Sequence, residues 1–237
     1  MHETSPDFAR AWQRFQALDC LRLAQDTLES EWTRGRTDYL AFLVPVADPA
    51  AQDHIARTIE GICGIAGVEA YPPSYWHITV KGAGFQVDSP ALDDDVAASA
   101  IDGIIARARA IFAAEPPFDI RIGLANGFPE VVFLEVSDGG RVRALNSRLL
   151  QEVAGLARYP IDGRGFLPHI SIARFISSDG LPQLKQALAQ LRRGAGGPTF
   201  RVREVQLIRA RLSGRRPPVW AETVPSFDLV ASFQLRG

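Results

Sequence analysis

Two histidines in this sequence each precede a hydroxyl residue by two positions, within runs of β-branched residues that favour strands. The two runs are His77-Ile78-Thr79-Val80 and His169-Ile170-Ser171-Ile172. Because side chains alternate along a strand, each histidine shares a face with its hydroxyl residue, and the β-branched residues point the other way. The histidines are 92 positions apart (169 − 77), so the two runs belong to different halves of the chain and not to one hairpin.

A facing pair of imidazoles suits acid–base chemistry at phosphorus. Imidazole titrates near neutrality, so one ring can accept a proton from an entering water while the other protonates the leaving oxygen, and each transfer is typically worth about 10²–10⁴ in rate. Thr79 and Ser171 are placed to donate hydrogen bonds to the non-bridging phosphate oxygens. Strict alternation puts Lys81 on the same face, where its charge would add to the phosphate site.

Two other chemistries fit the same residues less well. Ser171 as a nucleophile would require a sharp turn, whereas Ile170 and Ile172 indicate a plain strand. A zinc site built on His77 and His169 lacks a third ligand, and no carboxylate cluster beside the motifs completes a two-metal site. We therefore predict neither a metal nor a cofactor.

The composition is that of an ordinary globular protein. The chain has 237 residues, of which 46% are hydrophobic, and its 26 basic residues nearly balance its 27 acidic ones. A net charge of −1 provides no field for holding a long nucleic acid non-specifically. Cys20 and Cys63 are too few for a disulfide framework, and neither a leader segment nor a run of about 18 apolar residues is evident. We expect a cytoplasmic protein with no membrane association; the oligomeric state stays open.

The order of the predicted elements indicates an α+β fold. Aromatic and leucine residues from Asp7 to Trp32 recur at helical spacing, which predicts an N-terminal amphipathic extension over residues 1–37 that lies on the main domain or binds a partner. In residues 38–237, strands and helices alternate twice, which predicts a bilobal, duplicated β-α-β fold with two antiparallel or mixed sheets around a central cleft and helices outside. Asp93 to Asp95 are expected in the first turn of a helix over Val96–Phe112.

Arginines are concentrated near the end of the chain. Eight lie between Arg192 and Arg216, with Glu204 as the single acid among them. Most are expected to be solvated charges on edge strands, with contact to an anionic ligand as the alternative.

The paired motifs resemble those of the two-histidine phosphoesterases, most closely the LigT-like branch, the 2'-5' RNA ligase family of RNA 2',3'-cyclic phosphodiesterases. The resemblance covers about Asp38 to Leu229, beyond the N-terminal extension. Besides the two motifs, its supporting segments are Tyr39–Pro45, Trp76–Lys81, Gly127-Phe128-Pro129 and Leu167–Arg174. The chain departs from the family pattern after Lys81, where Gly82-Ala83-Gly84-Phe85 follows, and in having Ser171 instead of threonine.

This resemblance implies a bilobal fold and metal-independent hydrolysis of a 2',3'-cyclic phosphate, at an RNA end or in a small nucleotide, to a 2'-phosphate. By analogy, His77 would protonate the leaving 3' oxygen and His169 would activate water. Arg174 would bind phosphate, although strict alternation places it on the opposite face from His169 unless the strand twists or bulges. A binding module without turnover, or a phosphodiesterase acting on another small substrate such as a 2'-5' oligonucleotide, is the alternative.

Overall fold

The structure is a computed structural model that describes residues 5–24, 32–212 and 226–237, and within them it is α+β. The helices of the described residues are α1 (Pro6–Gln16), α2 (Pro49–Glu60), α3 (Ile101–Ala113), α4 (Arg141–Glu152) and α5 (Leu181–Leu191). The strands are β1 (Asp38–Pro45), β2 (Val68–Ala70), β3 (His77–Val87), β4 (Asp95–Ala97), β5 (Phe118–Gly127), β6 (Val131–Ser137), β7 (His169–Phe175), β8 (Thr199–Val202), β9 (Glu204–Arg211) and β10 (Ser226–Gln234).

The strands form one curled sheet made of two lobes. Its order is β10-β9-β1-β3-β7-β6-β5-β8, with β4 added to β3 and β2 added to β7. All pairs are antiparallel except β3 with β4. The lobes meet between β3 and β7, where a single residue pair, Ile78 opposite Ile170, is in register. The α+β class is thus confirmed, and the two predicted sheets are continuous through that one pair.

The two lobes of the structure do not correspond to the first and second halves of the sequence. The strands β9 and β10 near the end of the sequence pair in the first lobe, next to β1, while β2 from the first half pairs with β7 in the second. Two helices are exchanged in the same way, since α2 from the first half packs on β7 and α4 from the second half packs on β3. Helices α3 and α5 stay with their own halves and pack on β10 and β5. The large apolar core lies between these helices and the sheet. Across the described ranges, no helix combines the length and apolarity needed to cross a bilayer.

Local sequence signals fix where several helices begin. Helix α1 follows Ser5, whose hydroxyl accepts from the Phe8 N–H, and α2 follows Asp48, whose carboxylate accepts from the Ala51 N–H at 2.9 Å. Proline stands at the first position of both helices, where its missing N–H costs nothing.

The acidic run before α3 does not begin that helix. Asp95 starts strand β4, and α3 begins only at Ile101. Asp94 and Asp95 both accept hydrogen bonds from the buried guanidinium of Arg36 at 2.5 Å, so an ion pair and not a helix dipole holds these carboxylates. The prediction of a helix over Val96–Phe112 with an acidic first turn was wrong at its N-terminal end.

Helix α1 lies on the second lobe. Its Phe8, Ala11 and Phe15 are buried, and a Cβ on Gly127 of β5 would collide with the Phe15 ring. The helical pattern over Asp7–Trp32 left open a break in the helix, and α1 ends at Gln16; residues 25–31 of that stretch lie outside the described part of the chain.

Candidate active site

The register at the lobe junction brings the two motifs together. Because Ile78 opposes Ile170 in an antiparallel pair, His77 falls beside Ser171 and Thr79 beside His169. Both isoleucines are fully buried, so the neighbouring positions point to the opposite, concave face of the sheet. His77, Thr79 and His169 line a cavity of about 660 Å³ on that face.

Both imidazoles are held in the same way, through Nδ1. The ring of His77 donates from Nδ1 to the Tyr75 carbonyl oxygen at 2.5 Å, and that of His169 donates to the Leu167 carbonyl oxygen at 2.8 Å. A carbonyl oxygen can only accept, so each Nδ1 carries a hydrogen and each Nε2 is left to exchange a proton with a ligand.

Aromatic rings fix the orientation of each imidazole. The centroid of the His77 ring lies 5.2 Å from that of Tyr75 and 5.3 Å from that of Phe227. The centroid of the His169 ring lies 5.1 Å from those of both Phe128 and Phe133. These rings exclude water from the imidazoles. Desolvation consequently lowers the pKa of His77 to about 4, with a smaller contribution from the nearby His169, and desolvation also lowers the pKa of His169. Both rings are therefore neutral at neutral pH.

The two hydroxyl residues flank the histidines on the same face. Thr79 and Ser171 are half-buried, and within the described ranges neither hydroxyl has a hydrogen-bond partner. Thr79 reaches the cavity wall, so its hydroxyl is available to a ligand bound between the rings.

Lys81 does not reach the cavity, which corrects the prediction that it binds phosphate. The pairing of β1 with β3 shifts by one residue between Thr79 and Lys81, so the alternation counted from His77 is broken by a bulge. The Lys81 ammonium is fully buried and donates to the carbonyl oxygens of Gly82 and Ala157, both at 2.7 Å, and to Asp162 at 2.9 Å. With all three N–H donors satisfied, Lys81 is a structural residue.

A matching bulge in the second lobe brings Arg174 to the cavity. The pairing of β6 with β7 shifts by one residue between Ser171 and Ala173, and Arg174 then lines the cavity although strict alternation places it on the other face. Its guanidinium donates to Glu69 at 2.6 Å. Position 82 is the equivalent in the first lobe, five residues after the histidine, and carries glycine, so Arg174 has no counterpart there.

The aromatic framework of the site is what motif reasoning missed. Tyr71 and Tyr75 stack with centroids 4.1 Å apart and line the cavity, and burial raises the pKa of both phenols. Phe128 lies in the Gly-Phe-Pro turn of the family pattern, and Tyr75 stands two residues before His77, so both have a signal close to a motif in the sequence. Phe227 carries no such signal because it comes from a distant strand.

The described arginines between Arg192 and Arg216 do not line the 660 Å³ cavity. Arg192, Arg201 and Arg211 pair with Glu135, Asp119 and Asp228. Arg215 and Arg216 lie outside the described residues. Within the described part of the chain, no group of three or more histidine, cysteine or acidic residues is placed to hold a metal ion.

Comparison with known proteins places this geometry in context. The family model of the 2'-5' RNA ligase superfamily matches residues 48–214. TT0787 of Thermus thermophilus is 20% identical over 84% of this chain and 98% of its own, with a TM-score of 0.59. LigT of E. coli, in a structure complexed with NADP+, is 16% identical over 85% of this chain and 99% of its own, with a TM-score of 0.59. LigT was also solved in complexes with ATP and with 3'-AMP. A search of curated proteins gave no match. At these identities, the structural likeness establishes the fold.

Proposed function

Because the chain belongs to the 2'-5' RNA ligase superfamily of two-histidine phosphoesterases, we propose that it hydrolyses a 2',3'-cyclic phosphodiester to a 2'-phosphate. Family membership makes it a phosphoester-processing protein, and the cyclic substrate is our own inference. The observation that carries the proposal is the register at Ile78 and Ile170, which brings two imidazoles with free Nε2 atoms to one cavity.

The proposed reaction is an in-line displacement at phosphorus. The Nε2 atom of His169 accepts a proton from water as the water oxygen bonds to phosphorus, and the bond from phosphorus to the 3' oxygen breaks as His77 protonates that oxygen. Thr79 and Arg174 line the cavity, where Thr79 donates a hydrogen bond to a non-bridging oxygen and Arg174 contributes positive charge. Ser171 does not line that cavity, but it lies beside His77 on the same face and donates the second hydrogen bond. Solvent exchange then restores the protonation states of the two rings.

The acid of this mechanism gains its proton together with the substrate. The pKa of His77 is about 4, so the ring is neutral at pH 7 unless an anion lies beside it. A phosphate anion about 4 Å away at an effective dielectric of about 20 stabilises an imidazolium by roughly 4 kcal/mol, or about 3 pKa units. That is enough to bring the pKa of the ring in the complex near neutrality. Substrate binding near neutral pH is therefore expected to take up protons.

The cavity supports a nucleotide as the substrate. Aromatic rings line it, including those of Tyr71, Tyr75 and Tyr159, and such rings can stack on a base. The LigT structures with NADP+, ATP and 3'-AMP lend the same support by likeness of fold.

Hydrolysis assays with 2',3'-cyclic nucleotides and a cyclic-phosphate oligonucleotide, in EDTA, test the proposal. We expect a 2'-phosphate as product, and loss of activity in His77→Ala and in His169→Ala. His54→Ala is the matched control because His54 lies on α2, away from the 660 Å³ cavity. Binding of a cyclic nucleotide without turnover would replace the enzyme by a binding module, and activity that survives both catalytic substitutions would refute the mechanism.

A further inference from the structure

The two walls of the cleft are covered unequally, although the lobes are built alike. In the first lobe, the positions that face the cleft beside Thr79 are Leu43 and Ala41 on β1, followed by Ile208 and Ala210 on β9. All four line the 660 Å³ cavity. The first-lobe wall, defined by these four residues, is apolar; its side chains are themselves buried, and among the described residues they form part of the lining of the cavity.

The corresponding wall of the second lobe is occupied by the protein itself. Phe133 and Glu135 on β6 lie opposite Ser171 and His169, and Asn126 on β5 lies opposite Phe133, so these three side chains form the second-lobe wall. Each is buried, and none lines the 660 Å³ cavity.

Helix α1 is the element that covers the second-lobe wall. Phe8 packs on Phe133 with ring centroids 6.0 Å apart, and the two form a buried cluster with Ala11. The Asn126 amide donates to the Phe8 carbonyl oxygen at 3.0 Å. The family model begins at residue 48, so α1 lies outside the matched region.

Hydrogen bonds hold the polar side chains of the second-lobe wall that α1 does not cover. The Asn126 amide also donates to Glu135 at 2.9 Å, and Arg192 donates to the same carboxylate oxygen at 2.6 Å. The Trp12 ring of α1 lies over the Arg192 guanidinium at 4.7 Å. The second-lobe wall is thus a satisfied, buried network, and opening it would leave polar groups without partners.

A neighbouring opening among the described residues on this side is unsuited to a phosphate chain. A separate cavity of about 360 Å³ lies by the start of α1, and its carboxylates are those of Asp7, Glu135 and Asp138. Its cation, Arg143, is paired with Asp7 at 3.0 Å. The phosphates of a nucleic-acid chain would be repelled by these carboxylates.

We propose that α1 closes the His169 side of the cleft to organic alcohols, so that water alone attacks phosphorus there and the protein hydrolyses phosphodiesters without joining them. This inference rests on the proposed function, in which the organic part of the substrate lies on the first-lobe wall beside His77. Joining would form a bond from phosphorus to the 5' oxygen of a second nucleoside in place of water, and its sugar would need the space that Phe8 and Phe133 fill.

Competition between water and alcohols tests the proposal directly. The full chain is incubated with 2',3'-cyclic AMP, and methanol, glycerol or adenosine is added as a second nucleophile before the products are separated by mass. We expect the 2'-phosphate throughout and no product joined to adenosine. A methyl or glyceryl phosphodiester or an adenosine-joined dinucleotide from the unmodified protein would overturn the inference and leave the phosphodiester chemistry standing. No consumption of the cyclic nucleotide would refute the proposed function, and the inference with it.

A variant of α1 links the effect to the helix. Phe8→Ala removes the ring that covers Phe133, and it is expected to yield an adenosine-joined product that the unmodified protein does not form, and so to raise the ratio of joined to hydrolysed product above zero. Gln13→Ala, on the exposed side of α1, is the matched control and should leave the ratio unchanged. Circular dichroism establishes that both variants fold. An unchanged ratio in folded Phe8→Ala would refute the role of α1, and if that variant does not fold, the experiment on the unmodified protein decides.

Discussion

Replacing Phe227 by alanine is expected to raise the pKa of His77, because the Phe227 ring helps to keep water away from the imidazole. The ring centroids of the two residues lie 5.3 Å apart in an edge-on arrangement, and Tyr75 covers the imidazole from another side at 5.2 Å. Desolvation is the largest cause of the lowered pKa, so admitting water should reverse part of the shift.

The size of the effect follows from the lowered pKa of His77. A pKa lowered from 6.5 to about 4 means that protonating His77 costs about 3 kcal/mol more than in water. Removing one of the two covering rings should return about half of that, which corresponds to a rise of roughly one pKa unit.

NMR titration of the imidazole carbon-bound protons measures this pKa in the absence of ligand. The chain has four histidines, so a His77→Ala variant is sufficient to assign the resonance. Phe128→Ala is the matched control, since Phe128 stands in the same edge-on relation to His169, and it should move the titration of His169 while leaving that of His77 in place. The reasoning fails if His77 titrates at its ordinary value in the unmodified protein, or if only the Phe128 substitution moves it.

Three further predictions concern stability and the phosphate site. Lys81→Met should destabilise the protein by about 3–5 kcal/mol, measured by urea unfolding, because it leaves the Asp162 carboxylate without its buried partner; a rise in KM with unchanged stability would instead restore Lys81 to the phosphate site. Thr79→Val should lower kcat by about 10² without a change in melting temperature, since it removes one hydrogen-bond donor but keeps the shape of the side chain. The folded pKa of His77 lies below its unfolded value, so its contribution to stability is complete above about pH 6.5 and is lost as the pH falls toward 4. His77→Gln should therefore lose less stability than the unmodified protein over that range, and equal losses in parallel urea titrations would contradict the lowered pKa.

The sequence was sufficient to predict the class of fold and the two motifs, because both depend on short-range patterns. Two-residue alternation placed His77 with Thr79 and His169 with Ser171, and the structure has each pair on the concave face. Alternation failed beyond each motif, since a bulge interrupts each strand just after the hydroxyl residue. Lys81 was therefore assigned to the cavity incorrectly.

Other features depend on contacts between distant segments and carry little local signal. Arg36 lies 58 positions before Asp94, so the ion pair that holds the acidic run could not be recognised from the run itself. The unequal walls of the cleft depend on where α1 packs, and an amphipathic pattern shows that a helix has a buried face without showing what covers it. The exchange of strands between lobes also depends on distant contacts, because which strands pair is determined by packing across the whole sheet.

The position of β1 in the sheet has a consequence for how the protein is made. This strand lies between β3 and β9, so its second edge is satisfied only by residues 204–211, more than 150 positions later in the chain. During synthesis from the N-terminus, the first lobe must leave that apolar edge unpaired until β9 has emerged from the ribosome, whereas β5, β6 and β7 become available in succession. We therefore expect the His169 side of the cleft to be assembled before the His77 side, with the nascent chain dependent on protection of β1 in the interval.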